Sequence, residues 1–239
     1  MRRPPHALPL MRQRWERLGF LRWRVDAAEI AALLPPGLDV DTFDGDAYVG
    51  LVPFTIRGAR PLLLPSVPGL SSFHELNLRT YVHRAGRDPG VWFFSLDAGS
   101  RIAVALARRS YRLPYHHARM AMVESRGAVS FRSRRTDDSA ATFACTYAPE
   151  GRAVPAAVGS LPFFLVERYL LYSWDRRRLR TARVWHRSYP LQAARVTDLD
   201  ENLTAQAGVH TSGGAPIGHY CHELDVDIHA PRRAPQLPV

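Results

Sequence analysis

Residues 73–82 read Phe-His-Glu-Leu-Asn-Leu-Arg-Thr-Tyr-Val, a run in which polar and apolar side chains alternate. In a β-strand, successive side chains point to opposite faces of the sheet. One face of this strand would be mostly apolar, with Leu76, Leu78 and Val82 beside His74 and Thr80. The other face would carry a carboxylate, an amide, a guanidinium and a phenol: Phe73, Glu75, Asn77, Arg79 and Tyr81.

A solvent-facing side is the simplest explanation of a polar strand face. These particular groups, however, can donate and accept hydrogen bonds and can hold an anion, and a very apolar run, residues 91–94, follows soon after them. We therefore predict that residues 73–83 form a strand whose polar face lines a cavity inside a barrel.

Several other segments have the character of β-strands. Asp44 and Gly45 form a hairpin-type turn between residues 38–43 and residues 47–56. Further strands are predicted over 91–96, 128–133, 141–147 and 220–228. Because short polar turns join most of these segments, we expect a mainly β (α+β) protein with an antiparallel sheet rather than a βαβ succession.

Helices are predicted at three places. Asp26 is positioned to cap a short helix that ends at Leu34, with Glu29 in the place that a capping box requires. Ser160 is positioned to cap a helix that continues to about Ser173, since apolar residues recur there at helical spacing. Residues 102–109 form a weaker candidate, and residues 57–70 are expected to form a long loop.

Every one of the 32 basic Lys and Arg residues is an arginine, so the chain contains no lysine. A Schiff base requires an amine that can lose its proton, and a guanidinium with a pKa above about 12 cannot supply one. A coding bias toward arginine would explain this composition without selection at any site. The chemical exclusion holds whatever its origin.

The formal net charge of +10 raises the possibility of nucleic-acid binding. Arginines cluster at 132–135 and at 176–183, but no DNA- or RNA-binding motif accompanies them. A solvated arginine-rich surface explains the charge better, and anionic small molecules are the expected partners. With no signal-peptide run and no membrane span, the chain is predicted to be cytoplasmic, with Cys145 and Cys221 as reduced thiols.

Other chemical motifs give little support to metal or nucleotide chemistry. His219, Cys221 and Glu223 would share a strand face, yet two-residue steps rarely surround an ion without further ligands. His116 and His117 are adjacent and cannot share a face. Glycine-rich phosphate loops, a nucleophile elbow and a Cys-x-x-Cys motif are all absent from the sequence. We therefore predict neither a metal nor a cofactor.

Spacing refines the picture of the polar strand face. Residues four apart on one strand are separated by roughly 13 Å, so Glu75 and Arg79 are not expected to pair directly. A carboxylate and a guanidinium held apart suit a small carboxylated molecule. Arg79 would bind its anion, and Glu75 would act as base or acid.

The chain resembles the YqjF-like family of bacterial proteins, in the acetoacetate decarboxylase-like superfamily, from about residue 15 to about residue 228. The segments that carry the resemblance lie at 21–23, 34–38, 41–45, 49–54, 73–82, 91–97, 113–115 and 167–169. It implies one domain over 1–239, with flexible tails at 1–12 and 230–239. The implied fold is a largely antiparallel β-barrel with a few peripheral helices and a buried polar pocket.

In the decarboxylases of that superfamily, a strand glutamate and an arginine accompany a lysine that forms an imine with a β-keto acid. The resemblance assigns Glu75 to the pocket. The place of the lysine falls near residues 113–115, where Tyr115 is the best candidate for the substituted position. Arg24, Arg79 and Arg108 compete for the role of the arginine.

Two main functions remain open. In an enzyme, Glu75, Arg79 and Tyr115 would be catalytic in lyase, dehydratase, isomerase or cyclase chemistry on a keto, hydroxy or unsaturated acid. Asn77, Tyr81, Arg108 and His116 would then bind the substrate. The alternative is a noncatalytic barrel that binds or senses a small acid, and nucleic-acid binding is a third, weaker hypothesis. Homo-oligomers are compatible with either main function.

Overall fold

The computed structural model describes residues 4–67, 70–175, 177–211 and 213–234, and the strands and helices in those ranges are numbered in chain order. The strands are β1 (Met11–Val25), β2 (Asp39–Val40), β3 (Ala47–Pro61), β4 (Phe73–Arg84), β5 (Arg87–Ala98), β6 (Tyr115–Ser125), β7 (Ala128–Arg135), β8 (Thr142–Val154), β9 (Leu170–Trp174), β10 (Leu179–His186), β11 (Leu191–Glu201), β12 (Ile217–Ile228) and β13 (Arg232–Arg233). The helices are α1 (Ala27–Leu33), α2 (Arg101–Tyr111), α3 (Leu161–Val166) and α4 (Leu203–Gln206).

Hydrogen bonding joins these strands into one sheet that closes on itself in two ways. The large ring runs β5–β6–β7–β8–β11–β12–β1–β3–β4 and returns to β5. The small ring runs β5–β9–β10–β12–β1–β3–β4 and also returns to β5, so the two rings share β12, β1, β3, β4 and β5. The predicted mainly β, barrel-like fold is confirmed. The sheet is largely antiparallel, and the parallel pairings among the described strands are those of β5 with β6 and with β9.

The large ring encloses a filled apolar core. The side chains that form it come from strands around the ring and pack as one contiguous cluster: Leu21, Trp23, Val49, Leu51, Leu76, Leu78, Val129, Phe131, Phe143, Tyr147 and Tyr220. Burying an aliphatic or aromatic side chain of this size contributes about 1.5–3 kcal/mol. The apolar face of β4 therefore belongs to the main stabilising core of the protein.

Helices α1 and α2 begin where the sequence predicts them. The Asp26 carboxylate accepts hydrogen bonds from the backbone nitrogens of Ala28 and Glu29, at 2.6 and 3.2 Å. Glu29 does not complete a capping box, because its carboxylate accepts from the backbone nitrogen of His210 instead. Ser100 caps α2, the connection that carries the chain from β5 to the parallel strand β6.

The helix predicted from Ser160 to about Ser173 is too long. Ser160 does cap α3, but the helix ends at Val166, and Leu170–Trp174 form β9. Pairing of β9 with both β5 and β10 buries Leu171 and also Tyr172, one of the apolar positions that suggested a longer helix. Long-range pairing thus overrides a local helical period.

Gly90 allows β9 to lie close to β5. A Cβ atom at this position would be only 2.7 Å from the carbonyl oxygen of Leu170 and 2.8 Å from the Tyr172 ring. Since real Cβ contacts are longer than this, any other residue at position 90 would push the two strands apart.

The remaining sequence predictions vary in accuracy. The turn at Asp44 and Gly45 is confirmed, with positive φ angles of 52° and 88° at these residues, but its first arm is reduced to β2. The loop predicted over 57–70 begins only after β3 ends at Pro61, and residues 68–69 lie outside the described chain. Six strands, β1, β6, β9, β10, β11 and β13, were not predicted.

Parts of the predicted tails, residues 1–3 and 235–239, also lie outside the described residues, as does Arg176. Within the part of the chain that is described, no helix is long and apolar enough to cross a membrane.

Candidate functional site

The polar face of β4 opens into a cavity of about 430 Å³ inside the small ring. Strands β1, β3, β4, β5, β9 and β10 contribute to its wall, and α2 covers one side. Most of the polar side chains on the wall are buried or partly buried: Glu75, Asn77, Arg79, Tyr115, Arg168, His186 and Tyr189. The predicted cavity along β4 is therefore present, with Glu75, Asn77 and Arg79 on its wall.

Glu75 is a carboxyl group that burial keeps neutral. Its side chain is 4% exposed. Burial raises the pKa of Glu75 to about 8, against the opposing effect of hydrogen bonds from Tyr115 and Asn77. Because this pKa lies above neutral pH, Glu75 carries a proton in the resting protein and can donate it.

Tyr115 connects β6 to this carboxyl group across 40 residues of sequence. Its hydroxyl donates a hydrogen bond to Oε2 of Glu75 at 3.1 Å. The parallel register of β6 on β5, which sets Tyr115 beside Leu96, brings the ring into the cavity. Burial and the neighbouring Glu75 raise the pKa of Tyr115 well above its ordinary value, so the phenol stays a hydrogen-bond donor.

Arg79 is a buried guanidinium with unused donors. Its side chain is 7% exposed, and its Nε and Nη2 atoms have no hydrogen-bond partner among the described residues. The guanidinium lies 5.9 Å from the centre of the Phe20 ring. An uncompensated charge is costly to bury. Such a group is a natural anchor for an anion that enters the cavity.

Two further arginines lie near Arg79, and the sequence did not single out either of them. Arg168 pairs with Asp41, and its Nε donates to the carbonyl oxygen of Phe164 at 2.7 Å. Arg22 is fully buried, and its Nε donates to the hydroxyl of Tyr81 at 3.0 Å. Nη2 of Arg22 also lacks a partner within the described chain, but Arg22 does not line the cavity. Because Arg168 is already paired with a carboxylate, Arg79 is the better candidate for an exogenous anion.

His186 and Tyr189 complete the buried polar end, and neither was predicted. The His186 ring stacks against Tyr169 at 4.7 Å and lies 4.6 Å from Tyr189 between ring centres. Burial lowers the pKa of His186, so the imidazole is neutral at pH 7. Its Nδ1 lies 2.7 Å from the carbonyl oxygen of Arg187, the geometry of a donated hydrogen bond.

Three residues predicted to bind substrate lie outside the cavity wall. The first, Tyr81, shares the polar face of β4 but is fully buried against Arg22 and Phe164. Burial by itself would raise the pKa of Tyr81, but Arg22, Arg79 and Arg168 together lower it. Tyr81 therefore contacts the buried arginines on the side away from the cavity and accepts a hydrogen bond from Arg22.

The other two, Arg108 and His116, point away from Glu75. His116 follows Tyr115 on β6, so its side chain points to the opposite face, where its Nδ1 lies 3.0 Å from Oδ2 of Asp137. Arg108 is half exposed and donates to the backbone oxygen of Tyr115. Arg24, the third candidate arginine, is exposed beside Asp46.

A wider surface groove of about 1280 Å³ contains Arg108. It also contains part of the arginine cluster at 176–183, namely Arg177, Arg178 and Arg180. This groove lies on the outer side of Phe93 and Leu113, which line both spaces. The basic surface and the Glu75 cavity are thus separate features.

The described residues contain no group of three or more His, Cys, Asp or Glu side chains arranged to hold a metal ion. Cys145 and Cys221 are buried free thiols, as predicted. Burial raises the pKa of Cys221 to about 12 and moves that of Cys145 in the same direction, so neither is a reactive thiolate.

Solved structures share this fold at low sequence identity. The enduracididine biosynthesis enzyme MppR complexed with pyruvate aligns with a TM-score of 0.69 and 13% identity, covering 95% of this chain and 91% of that one. Acetoacetate decarboxylase from Legionella pneumophila aligns with a TM-score of 0.65 and 11% identity, covering 97% and 92%. An acetoacetate decarboxylase-like enzyme from Sphingomonas wittichii RW1 gives 0.64 and 12%, covering 97% and 95%.

Sequence comparison identifies the family. Protein YqjF of Bacillus subtilis (strain 168), described as uncharacterized, is 37% identical over 222 residues, which cover 93% of this chain and 91% of the relative. Residues 12–225 match the family DUF2071, described as "Uncharacterized conserved protein (COG2071)". The chain therefore belongs to the DUF2071 family, within an acetoacetate decarboxylase-like fold.

Proposed function

We propose that this protein binds a carboxylic acid in the small-ring cavity and catalyses proton transfer at a carbon or oxygen next to the carbonyl group of that acid. Glu75 is the acid and base, Arg79 binds the carboxylate, and Tyr115 orients Glu75. Asn77 adds a second hydrogen bond to the Glu75 carboxyl. The observation that carries the proposal is a neutral buried carboxyl group in the same cavity as a guanidinium with unused donors.

The simplest reaction of this set is the interconversion of a keto acid and its enol. Glu75 in its neutral form gives its proton to the enol carbon, the enol O–H proton passes to water as the carbonyl re-forms, and the resulting Glu75 carboxylate takes a proton back from water. In reverse, the Glu75 carboxylate takes a proton from the carbon next to the carbonyl, and water gives a proton to the oxygen of the enol. Many lyase, dehydratase, isomerase and cyclase reactions include such a transfer, and a positioned acid or base contributes about 10²–10⁴-fold to rate.

Imine chemistry is excluded from this proposal, because the chain contains no lysine. Two fold neighbours are described as complexes of MppR with pyruvate and with a condensation product of pyruvate, so this fold accepts a keto acid in at least one protein. That likeness supports the ligand class, while the reaction here rests on Glu75.

Deuterium exchange tests the reaction without knowledge of the product. A panel of 2-oxo acids is incubated with the protein in D2O, and loss of the proton signal next to the carbonyl is followed by NMR. We expect catalysed exchange of at least one acid and its loss in Glu75→Gln. If no acid that binds is exchanged faster than in buffer, the catalytic proposal fails.

A noncatalytic acid-binding protein is the second candidate, and the unused donors of Arg79 favour it independently of Glu75. In that case, keto acids would raise the melting temperature, since ligand binding stabilises the native state. Exchange would stay at the buffer rate, and Glu75→Gln would leave binding intact. Stabilisation that is lost in Arg79→Met, without catalysed exchange, would identify this function.

A further inference from the structure

We propose that the acid bound in this cavity is amphiphilic, with an apolar tail several carbons longer than that of pyruvate or acetoacetate. The proposal rests on the proposed function and adds to it the substrate class. Its basis is the order of polar and apolar side chains from the floor of the cavity to its mouth.

The exposed fraction of the lining side chains gives this order. Glu75, Asn77 and Arg79 are 4%, 5% and 7% exposed, so they lie at the closed end. Ile102 and Leu106 of α2 also line the cavity but are 53% and 58% exposed, so they mark the open end. The buried polar groups are thus on the floor, and the mouth is mostly apolar, with two exposed polar side chains, Arg60 and Ser110, also on its lining.

The wall between the two ends is also apolar. Its side chains come from β4, β5, β9, β10 and the segment before β6: Phe73, Val91, Leu96, Leu113, Leu171 and Val184. None of these side chains can hydrogen-bond to a ligand. A ligand whose carboxylate reaches Arg79 would therefore place the rest of its length against hydrocarbon.

The cavity is also too large for a short acid. Its 430 Å³ equals the liquid volume of about 14 water molecules at roughly 30 Å³ each. A three- or four-carbon keto acid would leave more than half of that space to be filled by water against apolar walls. An acid with a medium-length alkyl or aryl tail would fill it.

The arrangement makes a quantitative prediction about affinity. Each additional buried methylene contributes about 0.8 kcal/mol, which is about fourfold in affinity. Affinity should therefore rise about fourfold per carbon along a straight-chain series, until the tail reaches the mouth between Ile102 and Leu106. Longer tails would extend into solvent and add little.

The test is a titration of the purified protein with straight-chain 2-oxo acids from three to twelve carbons, with primary alcohols of the same lengths as neutral probes. We expect a rise and then a plateau for the acids. Arg79→Met should weaken acid binding by at least tenfold while leaving the alcohols unchanged. That pattern assigns the head group to Arg79 and the tail to the apolar wall.

A variant at the mouth locates the tail. Leu106→Trp adds bulk at an exposed lining position that the fold does not depend on, and it should move the plateau to shorter acids. Val123→Trp is the matched control, because Val123 is 61% exposed and lies on β6 outside the cavity lining. The control should bind the series as the original protein does.

Two outcomes would overturn the inference in distinguishable ways. If acids of all lengths bind equally, the amphiphilic substrate is wrong, while the acid-binding function survives. If acids and alcohols strengthen together with length and Arg79→Met changes nothing, the cavity is a plain apolar pocket, and both the inference and the proposed function fail.

Discussion

The two rings of the sheet share five strands but enclose different interiors: a packed apolar core in the large ring and an open cavity with polar groups in the small ring. On one face of β4, Leu76 and Leu78 pack into the filled core of the large ring. On the other face, Glu75, Asn77 and Arg79 line the open cavity of the small ring. The two faces of β4, one of the five shared strands, thus belong to the interior that stabilises the fold and to the interior that offers chemistry.

This contrast explains why both faces of β4 are buried although only one is apolar. Buried polar groups that lack partners destabilise a fold. The small ring contains several such groups, including Arg79, and the large ring compensates for them with its packed core. Substitutions on the two faces should therefore affect different properties of the protein.

The largest expected effect is on turnover. Glu75→Gln keeps the size of the side chain and an oxygen that can accept the hydrogen bond from Tyr115. It removes the carboxyl proton that is transferred. Once a reacting acid is known from deuterium exchange, its rate should fall about 10²–10⁴-fold. Ser72→Ala, on the neighbouring loop, serves as a control away from the cavity lining. An unchanged rate in Glu75→Gln would remove Glu75 from the mechanism.

The apolar face of β4, which packs into the large-ring core, should determine the free energy of unfolding. Leu78 is 1% exposed in the large-ring core, and Leu78→Ala should lower the free energy of unfolding by about 2–5 kcal/mol. Urea denaturation measures this change. Asn77→Ala, one position away on the cavity face, should lower it by less. Equal losses at the two positions would contradict the division between the rings.

The cavity face of β4 should also make the free energy of unfolding depend on pH, through Glu75. Glu75 has a pKa near 8 in the folded protein and near 4.5 in the unfolded chain, so the folded state holds the proton more tightly. The contribution of the Glu75 proton to the free energy of unfolding is complete below pH 4.5. It is lost as the pH rises toward 8, by an amount on the order of several kcal/mol. Urea denaturation between pH 5 and pH 8 should show this loss, and Glu75→Gln should remove that part of the slope.

The smallest expected effect on stability concerns Arg79. Removing a buried charge that lacks a partner is often neutral or stabilising. Arg79→Met should therefore unfold at the same urea concentration as the original protein or at a slightly higher one. A loss of more than about 2 kcal/mol would mean that the guanidinium has structural partners and is not reserved for a ligand.

Much of the β4 face could be predicted from the sequence, because a two-residue period is a local property. The alternation of residues 73–82 located Glu75, Asn77 and Arg79 on one face, and the cavity lies there. The same two-residue rule, applied to β6, places Tyr115 and His116 on opposite faces, which is why only one of them reaches Glu75.

The rest of the site depends on contacts between distant segments. His186 and Tyr189 reach the cavity because β10 pairs with β9, and β9 lies parallel to β5. A helical spacing of apolar residues concealed β9 in the sequence. Arg22 resembled any other polar position in β1, and only its burial beside Tyr81 distinguishes it.

The proposed function depends on a neutral carboxyl group, that of Glu75, at the floor of the small ring. Carbon-13 NMR of glutamate side-chain carboxyls, with Glu75→Gln to assign the signal, measures its titration directly. We expect the Glu75 carboxyl to titrate with a pKa near 8 in the free protein. A titration near 4.5, the ordinary value of a solvated glutamate, would show instead that Glu75 is ionised at neutral pH and is not the proton donor.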